Sequence, residues 1–415
     1  MPVANAATFT VTKTADTFDG TCDADCSLRE AVDAANQTNG VDTIIVPAGI
    51  YNLTLGTPNE DGASQGDLDI LESVTINGAG ARATIIDGQG NDRIFETFNT
   101  ATFNISGMTL RNGDAQGDNG GAIDNRNGPI TITDVTISGN TARDGGGLAS
   151  SGGSATYTLN RVTLSGNTAT EDGGAIDNNS GGDETFLTNV TMTGNIAGDE
   201  GGAARLDDAT LLNVTIVGNT GAAGRGGGYD DDDGTWTATN TIIANNTGGD
   251  CSNTANTDTA SIQSDSSCGF ATTANPLLGA LANNGGPTDT MMPQPGSPAI
   301  EGGTNTGCPA VDQRSQSRPL GLLCDVGAVE VLFVSGTVFE DANFAGTASD
   351  YDGGTNDLAL PNVDVELYTS ADVYVGSTTT DASGDFSFGV VDGSYKVRVR
   401  SATIGDSNTV PVSYT

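Results

Sequence analysis

Fifty-three acidic side chains and no histidine decide which chemistry this chain can offer. Oxygen ligands for a hard cation are abundant. A Ser-His-Asp triad, a Cys-His dyad, histidine-bound zinc and the commonest general acid/base are excluded. The densest candidate lies towards the C-terminus. Asp341 and Asn343 stand at positions 1 and 3 of a calcium-loop spacing and Gly346 at position 6, with Ala345 where a further ligand is usual. Asp350, Asp352 and Asp357 extend this to a hard-oxygen shell. Structural calcium is the cofactor expected there; the bland alternative is a solvated acidic loop.

A second acidic set recurs in mid-chain. Asp118, Asp144, Glu171 and Asp199 each lie two residues before a Gly-Gly pair, and Arg225 ends the series. In stacked coils these carboxylates would approach to about 5 Å. Like charges that close must share protons, spread apart or bind cations. Asp230 to Asp233 adds an acidic run at the next corner. Calcium, a basic partner and plain solvation all suit this pattern. Arg143, Arg205 and Arg225 are the cations available to a polysaccharide lyase, and paired carboxylates are what a hydrolase needs. Against catalysis, Trp236 is the single tryptophan, and the repeats are nearly uniform where an active site would break one coil. The expectation is a chain that is not an enzyme, with a polysaccharide lyase, a glycoside hydrolase or a glycan-binding module as the alternative.

The elements that position these residues are repeats. Val135–Asn140 reads Val-Thr-Ile-Ser-Gly-Asn, and close copies begin at Val162, Val190 and Val214, with weaker ones at Met108 and Asn240. Successive starts are 24–28 residues apart. A Gly-Gly unit interleaves at Gly120-Gly121, Gly146-Gly147, Gly173-Gly174, Gly201-Gly202 and Gly227-Gly228. Each repeat holds short β-branched runs between Gly, Asn and Asp, which are strand and turn signals, with no helical periodicity. The period predicts one coil of a right-handed parallel β-helix with about three strands per turn. Val135 and Ile137 should point inward and Thr136 outward. Asn140, Asn167, Asn195, Asn219 and Asn245 should form an amide ladder at a turn, and the glycine pairs a corner where a Cβ would clash.

A solenoid needs capped ends. Ser27-Leu28-Arg29-Glu30 carries a capping box, and Leu28, Ala31, Val32 and Ala35 share one helical face, with Asn39-Gly40 as the stop signal. The predicted organisation is a helical cap over 1–40, a β-helix over 41–250, a stapled, irregular C-terminal segment of the helix over 251–330, and a small antiparallel β-sandwich over 331–415. The sandwich rests on alternation in Val334–Phe339, Val363–Tyr368, Asp385–Phe388 and Tyr395–Val399. Thr43–Tyr51 and Val74–Gly78 read as early coils, and the stretch from Asn59 to Asp69 between them as a protruding loop.

The six cysteines fall in local pairs, Cys22-Cys26, Cys251-Cys268 and Cys308-Cys324, and read as disulfides of an oxidising compartment, adjacent pairing being one of several connectivities open. Ala4-Asn5-Ala6 has the small-x-small form of a signal-peptidase site, so residues 1–6 read as the tail of a trimmed signal peptide or as a chance occurrence in an Ala-rich terminus. The net charge of -38 leaves no basic face for nucleic acid and argues against anionic membranes. No stretch is apolar enough to span a bilayer, so no direct membrane insertion is expected. Glycine supplies 59 residues and hydrophobic types only 36%. That composition suits tight turns rather than disorder, because the β-branched residues recur in register.

Residues 26–31, Cys-Ser-Leu-Arg-Glu-Ala, resemble the domain named for that string. The Gly-Gly-Ala-Ile and Ser-Gly-Asn repeats are similar to those of polymorphic outer-membrane proteins. Asn275–Gly279, Asn284–Thr288, Pro295–Ile300 and Cys324–Ala328 resemble the choice-of-anchor Q segment, and the last 80 or so residues the B-type domain of serine-aspartate-repeat adhesins. The resemblance implies a secreted bacterial surface protein, and it implicates Asp381 in the calcium site. It implies cell-surface or matrix components, glycan or self-association as partners, Val410–Tyr414 being a strand that could pair across chains. The expected role is a rigid spacer, adhesin or matrix/filament subunit. No anchoring motif follows Thr415, so the chain reads as a fragment or as held by another chain.

Overall fold

The computed structural model describes residues 6–56, 62–98, 100–153, 155–231, 234–341, 357–390 and 394–400. They fall in two compact units, Met1–Glu330 and Val331–Thr415. The first is a parallel β-solenoid whose coils lay short strands into two ten-stranded sheets and one seven-stranded sheet. The first sheet runs from Thr8–Thr10 to Thr257–Thr259, the second from Gly49–Asn52 to Thr272–Thr273, and the third from Leu68–Ile70 to Tyr229–Asp231.

Stacking in register makes aliphatic columns. In the first sheet Ile44, Ile76, Ile105, Ile132, Leu159, Leu187, Leu211 and Ala238 follow one another, coil upon coil. In the second, Ile86, Leu110, Ile137, Leu164, Met192, Ile216 and Ile243 do the same. All are buried, each such side chain contributing about 2 kcal/mol of transfer free energy.

The corners are fixed by polar and steric rules. Asn140, Asn167, Asn195 and Asn219 are fully buried. Each donates from Nδ2 to the Oδ1 of the next, at 2.9–3.0 Å, and Asn219 donates to Asn246 at 3.1 Å. The ladder thus ends on Asn246 rather than Asn245, which instead carries the left-handed backbone of that corner (φ 58°). The glycine pairs divide their work. Gly120, Gly145, Gly173, Gly201 and Gly226 have φ of 60–69°. A Cβ on the following glycine, Gly121, Gly146, Gly174 or Gly202, would lie 2.1–2.4 Å from a carbonyl oxygen of the next coil. The second pair is therefore Gly145-Gly146, and the last is Gly226-Gly227.

The cap forms on the expected box. Ser27 Oγ accepts the Glu30 N–H at 3.1 Å and Glu30 Oε2 accepts the Ser27 N–H at 2.7 Å. The helix Leu28–Asn36 stops with Gln37 as its C-cap, short of Asn39-Gly40. Arg29 is fully buried beside the apolar face. Its guanidinium pairs with Asp16 and donates to the carbonyls of Ala63, Gln65, Gly66 and Asp67. The described part of the stretch from Asn59 to Asp69 is therefore no protruding loop. Asp67, Leu68 and Asp69 are buried, and Leu68–Ile70 opens the third sheet.

The disulfides Cys22–Cys26, Cys251–Cys268 and Cys308–Cys324 are formed. Coils continue to Thr272–Thr273. The chain then turns back along the outer side of the second sheet. Gln313 bonds Val162 O, Thr163 and Thr191, while Asn213 donates to Asp325 O and Gly327 O. This burial is why Thr163, Thr191 and Thr215 are inaccessible although their counterpart Thr136 is not.

The second unit holds small antiparallel sheets. Leu332–Thr337 pairs with Asp385–Val390, Phe339–Asp341 with Asp357–Ala359, and Asp364–Thr369 lies between Tyr374–Thr379 and Tyr395–Val399. Val338, Val363, Val365 and Phe386 form its core.

Replacing Asn195 by Ala removes an acceptor for two Asn167 donors and a donor to Leu164 O. With buried groups left unpaired, urea denaturation should show a loss of about 3 kcal/mol with the m-value unchanged.

Candidate functional site

The third sheet presents the charged face of the solenoid. Its strands are three residues long, so alternation buries the first position (Phe95, Ile123, Leu148, Ile176) and turns the middle one outward. Register aligns those middle positions as Asp69, Glu96, Asp124, Ala149, Asp177, Arg205 and Asp230. This row was not anticipated. A signal for it exists: Gly-Gly-Ala-Ile-Asp-Asn occurs twice, at 120–125 and 173–178.

The acids of the row are sequestered, with exposures of 0–8%. Two arginines organise them. Arg93 lies 3.1 Å from both Asp67 and Asp124, 3.6 Å from Glu96, 3.7 Å from Asp118 and 4.0 Å from Asp92. Arg126 also pairs with Glu96. Further along, Arg205 lies 3.1 Å from Glu200, 3.2 Å from Asp172, 3.8 Å from Asp230 and 3.9 Å from Asp177. Ala149 breaks the row between the two clusters, and Ser151 Oγ donates to Asp124 at 2.6 Å.

Burial pushes these carboxyls towards their neutral forms. Asp67 is raised to about 9, by burial first and then by the Asp69 carboxylate. Burial raises Asp124 to about 6. It raises Asp177 to about 7, against the opposing pull of Arg205. Among the described residues, Asp67, Asp69 and Glu96 are the group that brings one oxygen from each within 4.8 Å of the others, close enough to share a metal ion.

The expected acid column at the glycine corner does not stack as one. Between the alanine of each coil (Ala115, Ala142, Ala169, Ala197) and the left-handed glycine stand four, two, three and three residues. Asp118, Asp144 and Glu171 consequently fall out of register. Charges there are balanced locally, by Arg143 with Asp144 at 3.0 Å and Glu171 at 3.9 Å, and by Arg225 with Glu200 and Asp199. Trp236 is fully buried against Tyr229 and Phe270, inside the core and away from any sugar.

Of the calcium set expected in the second unit, Asp341 and Asp357 are cross-strand partners in register. Asn343, Asp350 and Asp352 lie outside the described residues, as does Val410–Tyr414. Asp381 is exposed, and its Oδ1 accepts the N–H groups of Ser383 (2.8 Å) and Asp385 (3.0 Å).

No known protein family's profile matches the chain, and no curated protein does. Among solved structures, the chain is similar to the crystal structure of pectate lyase Pel9A. The TM-score is 0.47 at 12% identity, covering 79% of this chain and 97% of that one. At that identity the likeness concerns the fold alone. The expectation of a chain that is not an enzyme is corrected by this finding, the neighbour being a lyase. The three disulfides point to an oxidising, extracellular setting. No helix among the described residues is long and apolar enough to cross a membrane.

Asp177 yields a pH prediction. An acid whose folded pKa is raised stabilises the fold below its unfolded value, near 4, and loses that contribution as pH rises through about 7. Asp177→Asn should therefore match the wild type near pH 4 and exceed it above pH 7, by up to about 4 kcal/mol. Denaturant titrations at the two pH values measure this.

Proposed function

We propose that the chain is an extracellular β-helix protein that acts on a carboxylate-bearing polysaccharide lying across the third sheet. One observation carries this reading. The chain has only 15 basic residues, yet Arg93, Arg126 and Arg205 gather at this face and Arg143 and Arg225 at the glycine corner beside it, interleaved with acids. Guanidinium groups recognise carboxylates through paired hydrogen bonds. Arg126, Arg143 and Arg225 keep 44–55% of their side chains exposed. Arg205, at 19%, is the partly shielded guanidinium placed to pair with a carboxylate of the polymer. Calcium would bridge the acidic polymer to this acidic chain and also lock the second unit through Asp341, Asp357 and Asp381. A bacterial surface or matrix setting is supported by the motif resemblances at 26–31 and 275–328.

The test is incubation with uronate-rich and neutral polysaccharides, with calcium or with chelator. Unsaturated chain ends would mark elimination, and reducing ends without unsaturation would mark hydrolysis. Arg205→Ala should cut either rate at least tenfold. Calcium-dependent binding without product would instead assign an adhesive, matrix-holding role. Absence of both binding and turnover on every acidic polymer would sink the proposal.

A further inference from the structure

The strongest excess of buried negative charge lies at the N-terminal end of the third sheet. Asp67, Asp69, Asp92, Glu96 and Asp124 are each at most 3% exposed. Asp67, Asp92, Glu96 and Asp124 lie within 4.0 Å of Arg93, with Arg126 reaching Glu96 from the rim. Five carboxylates against two guanidinium groups leave a deficit of positive charge where water cannot supply screening. A second observation comes from Asp67. Its Oδ2 faces Arg93 Nε at 3.1 Å, but its Oδ1 is buried with no hydrogen-bond partner. A buried carboxylate oxygen without a donor is costly unless something else meets it.

We propose that Asp67, Asp69 and Glu96 form a divalent-cation site, built and held by the N-terminal cap. One oxygen from each lies within 4.8 Å of the others. Oxygens on a calcium shell of about 2.4 Å radius are at most about 4.8 Å apart, so the group needs little rearrangement to close on such an ion. All donors are hard oxygens, which selects calcium or manganese over soft metals.

The cap supplies the preorganisation. Arg29 donates to the carbonyl of Asp67 at 3.0 Å and to those of Gly66 and Gln65 just before it. Asn36, at the other end of the same helix, donates to Asp69 O at 2.7 Å and accepts the Leu71 N–H at 2.9 Å. Asp67, just before the edge strand Leu68–Ile70, and Asp69 within it are thus both fixed by one helix, while Glu96 comes from the next coil. The ion would tie cap, edge strand and following coil together. This site stands whether or not the polysaccharide reading does.

The test uses the full chain, stripped with chelator and titrated with calcium by calorimetry, beside Asp67→Asn and Glu96→Gln. Folding of each is checked by circular dichroism, and two variants are used so that one misfolded protein does not end the test. Each variant should bind about one ion fewer than the wild type, any site in the second unit being unchanged. Thermal unfolding adds a sign. In chelator the variants should be as stable as the wild type or more so, because the crowding of buried carboxyls is relieved. In calcium they should lose several degrees of the wild-type gain. Unchanged stoichiometry would overturn the proposal. So would an equal loss of stability in chelator and in calcium, which would make these acids structural partners of Arg93 alone.

Discussion

Hydrogen bonding from coil to coil places every residue of a parallel solenoid against its own counterpart about 4.8 Å away. A position is therefore chosen less for what it is than for how it stacks on itself. Aliphatic columns such as Ile44 through Ala238 bury themselves. Amides do so too, because a carboxamide offers both donor and acceptor, and Asn140 through Asn246 complete one another without outside help. Glycine follows from the same rule at the corners, where a Cβ on one coil would strike a carbonyl of the next.

Carboxylates are the residues that this geometry punishes, yet the third sheet stacks them. The structure answers by interrupting the row. Arg205 stands within it, Ala149 breaks it, and Arg93 reaches over it from the side. What remains is a buried polar band whose protonation is displaced well above the ordinary carboxyl range. Perturbed groups of that kind gather where a protein binds or transforms something, and in this chain the third sheet is the face that carries them.

Features that depend on self-stacking were legible in the sequence. The Val-Thr-Ile-Ser-Gly-Asn copies fixed the period, the inward Val135 and Ile137 and most of the asparagine ladder; Ser27 and Glu30 marked the cap. Features that depend on register between unequal segments were not. The corner acids looked aligned when counted from the glycines, but the turns before them differ in length, so counting failed. The third-sheet row escaped notice because its members differ in type and sit in strands of three residues, too short for alternation to show. Asp67 and Asp69 were hidden further still: nothing local says that the glycine- and acid-rich stretch before Leu68 is drawn inside by Arg29, whose partners are 34–38 residues away.

The returning segment after Thr273 has a mechanical meaning. A stack of coils touching only their neighbours peels from either end, one rung at a time. Here Arg82 is joined to Asp289, Thr163 to Asp289 and Gln313, Asn213 to Asp325 and Gly327, and Asn240 to Thr304. One strip of chain therefore spans most of the rod's length like a splint. Peeling any rung beneath it means breaking the splint as well, so the rungs share their fate. The same strip is the last part of this unit to be synthesised. Until it arrives, the nascent rod holds Thr163, Thr191 and Asn213 open to solvent, and full rigidity is a property of the finished unit alone.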